Sequence, residues 1–395
     1  MSTFDFMSIL RIGKSTKLNE SDAIEDAVTM ALQGDLLPKF ALLLTTDQYD
    51  PHLIAEGMNR KLPGIKWAGC TSAAVFAGNE FIQKGLVIGL MYSPGLEVGI
   101  GVAKLDKHNC RDAGRVAVDK ALKALDGNHT ELGRALIVLA DSSAGNIAEV
   151  IRGAVQEAGT LNVWAGGGVG NVDPESHCAE FAHGQAYSSH VLVIALQSSQ
   201  LITTGVAHGW KPYGPPTLVT HSKESVTHEL EYEKAFAVYQ QTAANRGEKV
   251  TEREFTQFAI THPLGIPQAD GNYVIRDPVA LGSDGSLSFI AEVPDGCLVR
   301  IMQGGASALL AAAQSAAESS RLLTNENVTG AFIFDCISRF FVLKSNYSKE
   351  LDTFQQGLGA TIPFMGCLTL GEVGAFGKGV PQFHNKTAVV MALHG

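Results

Sequence analysis

The chain has 395 residues, with 45% hydrophobic and 18% charged. That is a globular balance, and more length than one ordinary core holds, so two or three domains are expected. The net charge of −10 repels phosphate backbones, which argues against nucleic acid as a partner. The apolar runs, such as "ALLL" and "VLVIAL", are strand-sized, the N-terminus has no basic-then-apolar layout, and six scattered cysteines form no CxxC pair. The expectation is a cytoplasmic chain without a membrane span, a disulfide framework or a structural zinc site.

Strands and helices alternate along the chain. "FALLLTT" (40–46) reads as a buried strand, "PHLIAEGMNRKL" (51–62) as a helix and "GIKWAGCTSA" (64–73) as a strand with a tight turn. "KGLVIGLMYS" and "LEVGIGVAKL" read as a hairpin through "SPG". The order returns with strand 134–140, helix 144–159 closed by a C-cap glycine, strand and glycine turn 162–171, and a hairpin over 190–209. It returns again with strand 330–343, helix 348–359, strand and turn 362–374 and a closing strand 386–395. Between the second and third rounds lie two helical stretches, a turn-rich segment of short strands and an alanine-rich helix over 304–323. The fold class is therefore α/β (α+β), with mixed, largely antiparallel sheets flanked by helices and built on a repeated β-α-β-β module. The expected division is an N-terminal segment 1–38 and two domains, 39–222 and 223–395. Each module sets a glycine turn ("GCTS", "GGGVGN", "GCLTLGEVG") at the carboxyl end of a strand, where α/β sheets usually bind ligands.

The motifs narrow the chemistry. "AGGGVGN" lacks the helix start that a phosphate loop needs, and there is no GxxxxGK[ST]. Cys70 on its glycine turn and Ser142 beside Asp141 and Ser143 are candidate nucleophiles for a hydrolase, although no GxSxG elbow is present. A buried thiol and a helix cap are the plainer readings of the two places. Among twelve histidines there is no HExxH or HxH; His177 and Glu180 form an isolated HxxE. A single axial histidine for a non-covalent haem obeys no local spacing rule, and CxxCH is absent. His208 in "VAHGWKP", His262 in "THPLGIP", His183 in "FAHGQ" and His384 in "QFHNKT" occupy unusual settings. The glycine-rich stretch Gly366–Thr387 carries Glu372 and His384, and its glycines let backbone approach a ligand closely.

"GCTSA", "HGWKPYGPPTLVT", "HPLGI", "YVIRDP", "DGSLSFIAEVPDGCLVRIM" and "GCLTLGEVG" with "FHNKT" occur in order from about Lys39 to the end. As a set they resemble the FIST family, with tandem N- and C-terminal FIST domains. Two departures stand out: "GCTSAAVF" lacks the acid that the family more often carries there, and Lys386 replaces a common glutamine. The resemblance implies an intracellular signal-transduction sensor rather than an enzyme. Its pocket would involve Cys70, Thr71, Ser72, His208, Trp210, Gly371, Glu372 and His384. The free-standing two-domain form is similar to the NosP group of haem nitric oxide sensors. That likeness implies haem b, with His262 or His208 as axial ligand and His221 and His228 next, and a separate histidine kinase or other signalling protein as partner. A non-haem sensor of an amino acid or similar polar molecule is the alternative, and a hydrolase the third reading.

Overall fold

The structure is a computed structural model that describes residues 9–32, 36–93, 95–125, 133–171, 173, 178–321 and 327–395. Among the described residues, three six-stranded sheets and a separate nine-stranded assembly make up the β-structure. The first sheet runs Ile9–Ser15, Leu86–Tyr92, Phe40–Thr46, Lys66–Ser72, Glu180–Ala182, Gln185–Tyr187. The second runs Glu97–Lys104, His190–Ser198, Gly133–Asp141, Val163–Val169, Glu372–Gly374, Gln382–His384. The third runs Ile202–Ala207, Ala388–His394, Val328–Cys336, Phe364–Thr369, Val75–Ala77, Glu80–Ile82. In each sheet one pair is parallel, joined by a crossover helix, and the other pairings are antiparallel.

Four strands of each sheet come from one stretch of chain. The last two are a short hairpin lent by another stretch. The hairpin after Lys66–Ser72 joins the third sheet, the one after Val163–Val169 joins the first, and the one after Phe364–Thr369 joins the second. The loan is cyclic, and the three sheets surround one common core. Leu42 and Leu44, Ile137 and Leu139, and Phe332 and Phe334 all enter that core. The alternate residues face outward onto helices: Ala41 and Leu43 in the first sheet, Leu136 and Val138 in the second, Ala331 and Ile333 in the third. Burial on both faces explains why these strands read as unbroken apolar runs.

Three glycines set the spacing within the parallel pairs. A Cβ on Gly69 would lie 1.7 Å from the Leu43 carbonyl oxygen, one on Gly166 2.0 Å from that of Val138, and one on Gly366 2.1 Å from that of Ile333. Backbone occupies the place of the side chain, so only glycine fits.

Three sequence expectations fail. Segments 84–93 and 96–105 do not pair with each other: Leu86–Tyr92 pairs with Ile9–Ser15 and Phe40–Thr46, and Glu97–Lys104 pairs with His190–Ser198. Nor do the two halves of 190–209, because Ile202–Ala207 pairs with Ala388–His394. At both places the chain crosses from one sheet to the next. The expected strand 330–343 stops at Cys336 and continues as the helix Ile337–Leu343. His183 does sit at a hairpin tip, with φ 49°.

Residues 211–303 interrupt the third module between Ile202–Ala207 and the helix Ala306–Arg321. This insert has its own core, built on Val219, Tyr239, Phe255, Leu264 and Val299. Among the described residues no helix is long and apolar enough to cross a membrane.

Replacing Gly69 with Ala is expected to cost about 3 kcal/mol or more of unfolding free energy, since overpacking against backbone has no side chain to displace. Urea unfolding measures it, and a cost under about 1 kcal/mol contradicts the close approach.

Candidate functional site

The carboxyl ends of three parallel strands meet where the hairpins change sheets. Ser72 Oγ donates to the carbonyls of Leu368 (2.5 Å) and Ala74 (2.9 Å), and Leu368 N–H donates to Ala74. Thr71 N–H donates to Ala179, and Gly168 N–H to Gly371. Ser72 also forms a parallel bridge with Gly170. All three glycine turns foreseen in the sequence therefore lie in one cluster.

Several expected pocket residues act there as fasteners. Glu372 is fully buried; it accepts from Thr369 Oγ1 (2.8 Å) and Thr387 N–H (3.1 Å). Burial raises its carboxyl well above the usual range. His384 Nε2 donates to the Gly374 carbonyl at 3.1 Å, and burial lowers its pKa to about 3. Gly371 has φ +100°, and a Cβ there would strike the Phe383 ring at 2.3 Å. His208 takes a hydrogen bond from Trp210 N–H through Nδ1, and burial lowers its pKa to about 4. The rings of His208 and His384 both stand edge-on to Phe376. Trp210 Nε1 donates to the Lys386 carbonyl, and the Lys386 ammonium lies over the Trp210 ring and 2.9 Å from Asp277. The lysine at this departure from the family pattern is thus a buried ion-pair partner.

Cys70 is buried, and its contact with Cys367, with burial next, raises the thiol well above its ordinary value. That is the reverse of an activated nucleophile. Ser142 Oγ is buried without a hydrogen-bond partner, and the neighbouring Asp141 instead accepts from Ser143 N–H and Oγ. The helix cap expected over 141–143 is supplied by Asn146, whose Oδ1 accepts from Ala148 and Glu149 N–H.

His262 stands apart, in the insert. Its ring stacks on Phe258 at 3.8 Å, Tyr213 meets its edge at 4.7 Å, and Nδ1 lies 3.0 Å from the Phe258 carbonyl. Nε2 is buried and has no hydrogen-bond partner. His221 and His228 stack on each other across two strands of the insert. His177 lies outside the described residues.

Two cavities open beside the strand ends. One, of about 520 Å³, lies beyond Gly133–Asp141 at the start of the helix Ile147–Ala158. Lys107, Arg111 and Asn146 line it from the second module, Leu370 and Phe383 from the glycine-rich C-terminal stretch, and Glu292 from the insert. Arg111 holds Glu149 through two hydrogen bonds, and Arg152 pairs with both Glu149 and Glu292. Burial alone would raise Glu149 and Glu292, but the arginine hydrogen bonds outweigh it and hold both carboxyls below their usual range. Charges of both signs therefore stand around an apolar floor. Sequence reasoning passed over this set because it comes from four distant segments. One local signal was present: Asn146 three residues before Glu149 is a helix-start pattern.

The second cavity, of about 540 Å³, occupies the corresponding place beyond Phe40–Thr46 and is lined by Asp47, Tyr49, His52, Cys178 and Tyr187. At its edge Asp141, Cys178 and Glu180 bring ligand-type atoms within 4.8 Å of one another. The third corresponding place is filled by side chains. Phe81, Phe340 and Tyr347 pack together there beside the buried ion pairs of Arg339 with Glu350 and Asp335.

The FIST N domain matches residues 39–233 and the FIST C domain residues 235–375. No curated protein matches the chain. Among solved structures, cyanuric acid hydrolase from A. caulinodans aligns over 98% of this chain and 100% of its own, at 9% identity and TM-score 0.34. Phosphoribosylformylglycinamidine synthase II from Thermotoga maritima aligns over 100% and 73%, at 11% identity and TM-score 0.23. Likeness this slight carries no argument about fold or activity.

The buried neutral His384 has a consequence for acid stability. Its pKa is about 3 folded against an ordinary 6.5, so below pH 6.5 the unfolded chain binds the extra proton. Stability falls as pH drops from 6.5 towards 3, by up to roughly 1.4 kcal/mol per pH unit from this residue. In urea unfolding at pH 7, 6 and 5, His384→Asn is expected to be less stable at pH 7 but to show a shallower slope. An unchanged slope contradicts the assignment.

Proposed function

We infer, for a chain that belongs to the FIST family, that it reports the presence of a small zwitterionic or comparably polar molecule held between the second module and the insert. FIST domains are small-ligand sensor domains of signal transduction. The observation that carries the reading is the 520 Å³ cleft whose walls come from two bodies, with Lys107, Arg111 and the Arg111-paired Glu149 on one and, as charged groups, only carboxylates, Glu224 and Glu292, on the other. A ligand carboxylate suits Lys107 and Arg111. A ligand ammonium suits Glu292. Ile290, Leu370 and Phe383 offer the apolar side of the cleft. A molecule touching both walls favours the arrangement in which they are close. It shifts the population by its differential affinity for that arrangement. A separate signalling protein, a histidine kinase in the reading that the family suggests, would then read the surface of the insert.

Thermal unfolding with the twenty amino acids tests this. At least one is expected to stabilise the chain, by about 2.7 kcal/mol at a hundredfold excess over its Kd. Lys107→Ala and Glu292→Gln are each expected to weaken that ligand tenfold or more. A panel that stabilises nothing, or stabilisation that neither substitution weakens, overturns the reading.

The haem and nitric oxide reading has one observation in its favour, the buried and unpartnered Nε2 of His262. The surroundings do not fit a macrocycle. Phe258 covers one face of the His262 ring, Tyr213 covers its edge, and neither His262 nor His208 lines the two cavities beside the strand ends. No step is therefore assigned to haem. Hemin titration is expected to give no stoichiometric Soret band; a stoichiometric band that moves with nitric oxide and is lost in His262→Ala reverses this conclusion.

A further inference from the structure

Glu180 is the least explained polar side chain of the core. It sits in the hairpin that the second module lends to the first sheet, paired with Cys70. It is 0% exposed, and neither carboxylate oxygen has a side-chain partner among the described residues; only the backbone N–H groups of Glu180 itself and of His190 approach it. Lys104 acts on it only through space, since its ammonium donates to the Ser188 carbonyl at 3.2 Å. An unpaired buried carboxyl is costly and calls for a partner.

Two potential ligands face it. Cys178 lies two residues earlier, on the same side of the extended chain. Asp141 arrives from the end of Gly133–Asp141 in the second sheet, with Oδ1 taking hydrogen bonds from Ser143 and Oδ2 from Ser189 N–H at 3.0 Å. Those bonds fix the Asp141 carboxylate, occupy both lone pairs of Oδ1 and leave Oδ2 one lone pair for a ligand bond. The three ligand atoms lie within 4.8 Å of one another. Zinc bond lengths place tetrahedral sulfur and oxygen ligands about 3.6 Å apart, so side-chain rotation of about 1 Å closes the set.

We propose that Asp141, Cys178 and Glu180 form a site for one thiophilic divalent cation, of which zinc is the natural example. One thiolate with two carboxylates suits a borderline-soft ion better than calcium or magnesium, which prefer oxygen alone. The Cys178 thiol and the Glu180 carboxyl, which burial keeps protonated, each give a proton to solvent as their bonds to the metal form. Cys178 also lines the 540 Å³ cavity, which gives the ion a route in and leaves its fourth position to water. The cation joins the first and second sheets at Glu180, which otherwise reaches the second sheet only through the His190 backbone. The proposal is independent of the ligand cleft.

The test uses the full chain stripped with a chelator and titrated with cobalt(II). The expected result is a thiolate-to-cobalt charge-transfer band saturating at one equivalent and bleached by zinc. The band is expected to vanish in Cys178→Ser and persist in Cys297→Ser, a half-buried thiol of the insert. Glu180→Gln is expected to keep the band and weaken cobalt at least tenfold, and it carries the test if Cys178→Ser does not fold. No band at saturating cobalt, a band retained in Cys178→Ser, or unchanged affinity in Glu180→Gln overturns the proposal.

Discussion

An open sheet edge must be closed, and the whole arrangement depends on how that is done. The strands Lys66–Ser72, Val163–Val169 and Phe364–Thr369 each end a run of four and would present a bare row of backbone donors and acceptors. Unpaired edges invite wrong pairing, and in a buried position they are costly. Each edge is covered by three-residue strands from a different part of the chain. Because the loan is cyclic, each sheet is completed only when another has delivered its hairpin. The three strand ends are thereby drawn together, which brings Ser72, Gly168, Gly170, Leu368 and Gly371 into one hydrogen-bonded cluster. The glycines at 69, 166 and 366 belong to the same constraint, since the parallel partner's backbone leaves no room for a Cβ.

That geometry gives three corresponding positions, and the chain treats them differently. Val75 pairs opposite Cys367, Glu180 opposite Cys70 and Glu372 opposite Gly167. Val75 is simply apolar and packs in the shared core. Glu372 is anchored by Thr369 and the Thr387 backbone. Glu180 has no side-chain partner and stands beside a thiol and a second carboxylate. The three places beyond the central strands diverge in the same way. One is packed solid with aromatic rings around Arg339, one is a cavity edged by the possible ligands, and one is the charged cleft against the insert.

The periodic parts of this plan were legible in the sequence. The threefold return of strand, helix and glycine turn reads directly from "FALLLTT", "RALIVLA" and "GAFIFDC" and from the turns that follow. The exchanged hairpins were not legible, because strands such as Val75–Ala77 and Glu180–Ala182 are too short for alternation to register. Leu86–Tyr92 and Glu97–Lys104 mislead for another reason. Two strands joined by a tight turn ordinarily pair, but here each has a stronger partner in its own sheet. The Gly366–Thr387 stretch lines a cavity through residues that the motifs did not single out. Leu370 and Phe383 face the cleft while Glu372 and His384 hold the turn from behind. Spacing rules for metals were silent on Asp141, Cys178 and Glu180 because the first comes from a different sheet than the other two. A Cys-x-Glu pair in extended chain is too common to stand out alone.

The position of the insert decides how ligand occupancy could matter outside the cleft. It leaves the third module between Ile202–Ala207 and Ala306–Arg321, yet meets the second module at the cleft through Glu292. Its attachments elsewhere are buried and polar. Arg276 donates to the Phe383 carbonyl, Asp277 receives Ser338 Oγ, and Lys386 reaches both Asp277 and the Ile260 carbonyl. Those bonds fix one side of the insert to the core. At the cleft, the Glu292 contacts with Asn146 and Arg152 are partly or well exposed and individually weak. At the cleft the insert also sets Ala291 into the second module's core, so a small molecule bound there, as proposed, would act on the side chains that bridge the two bodies, Glu292, Asn146 and Arg152.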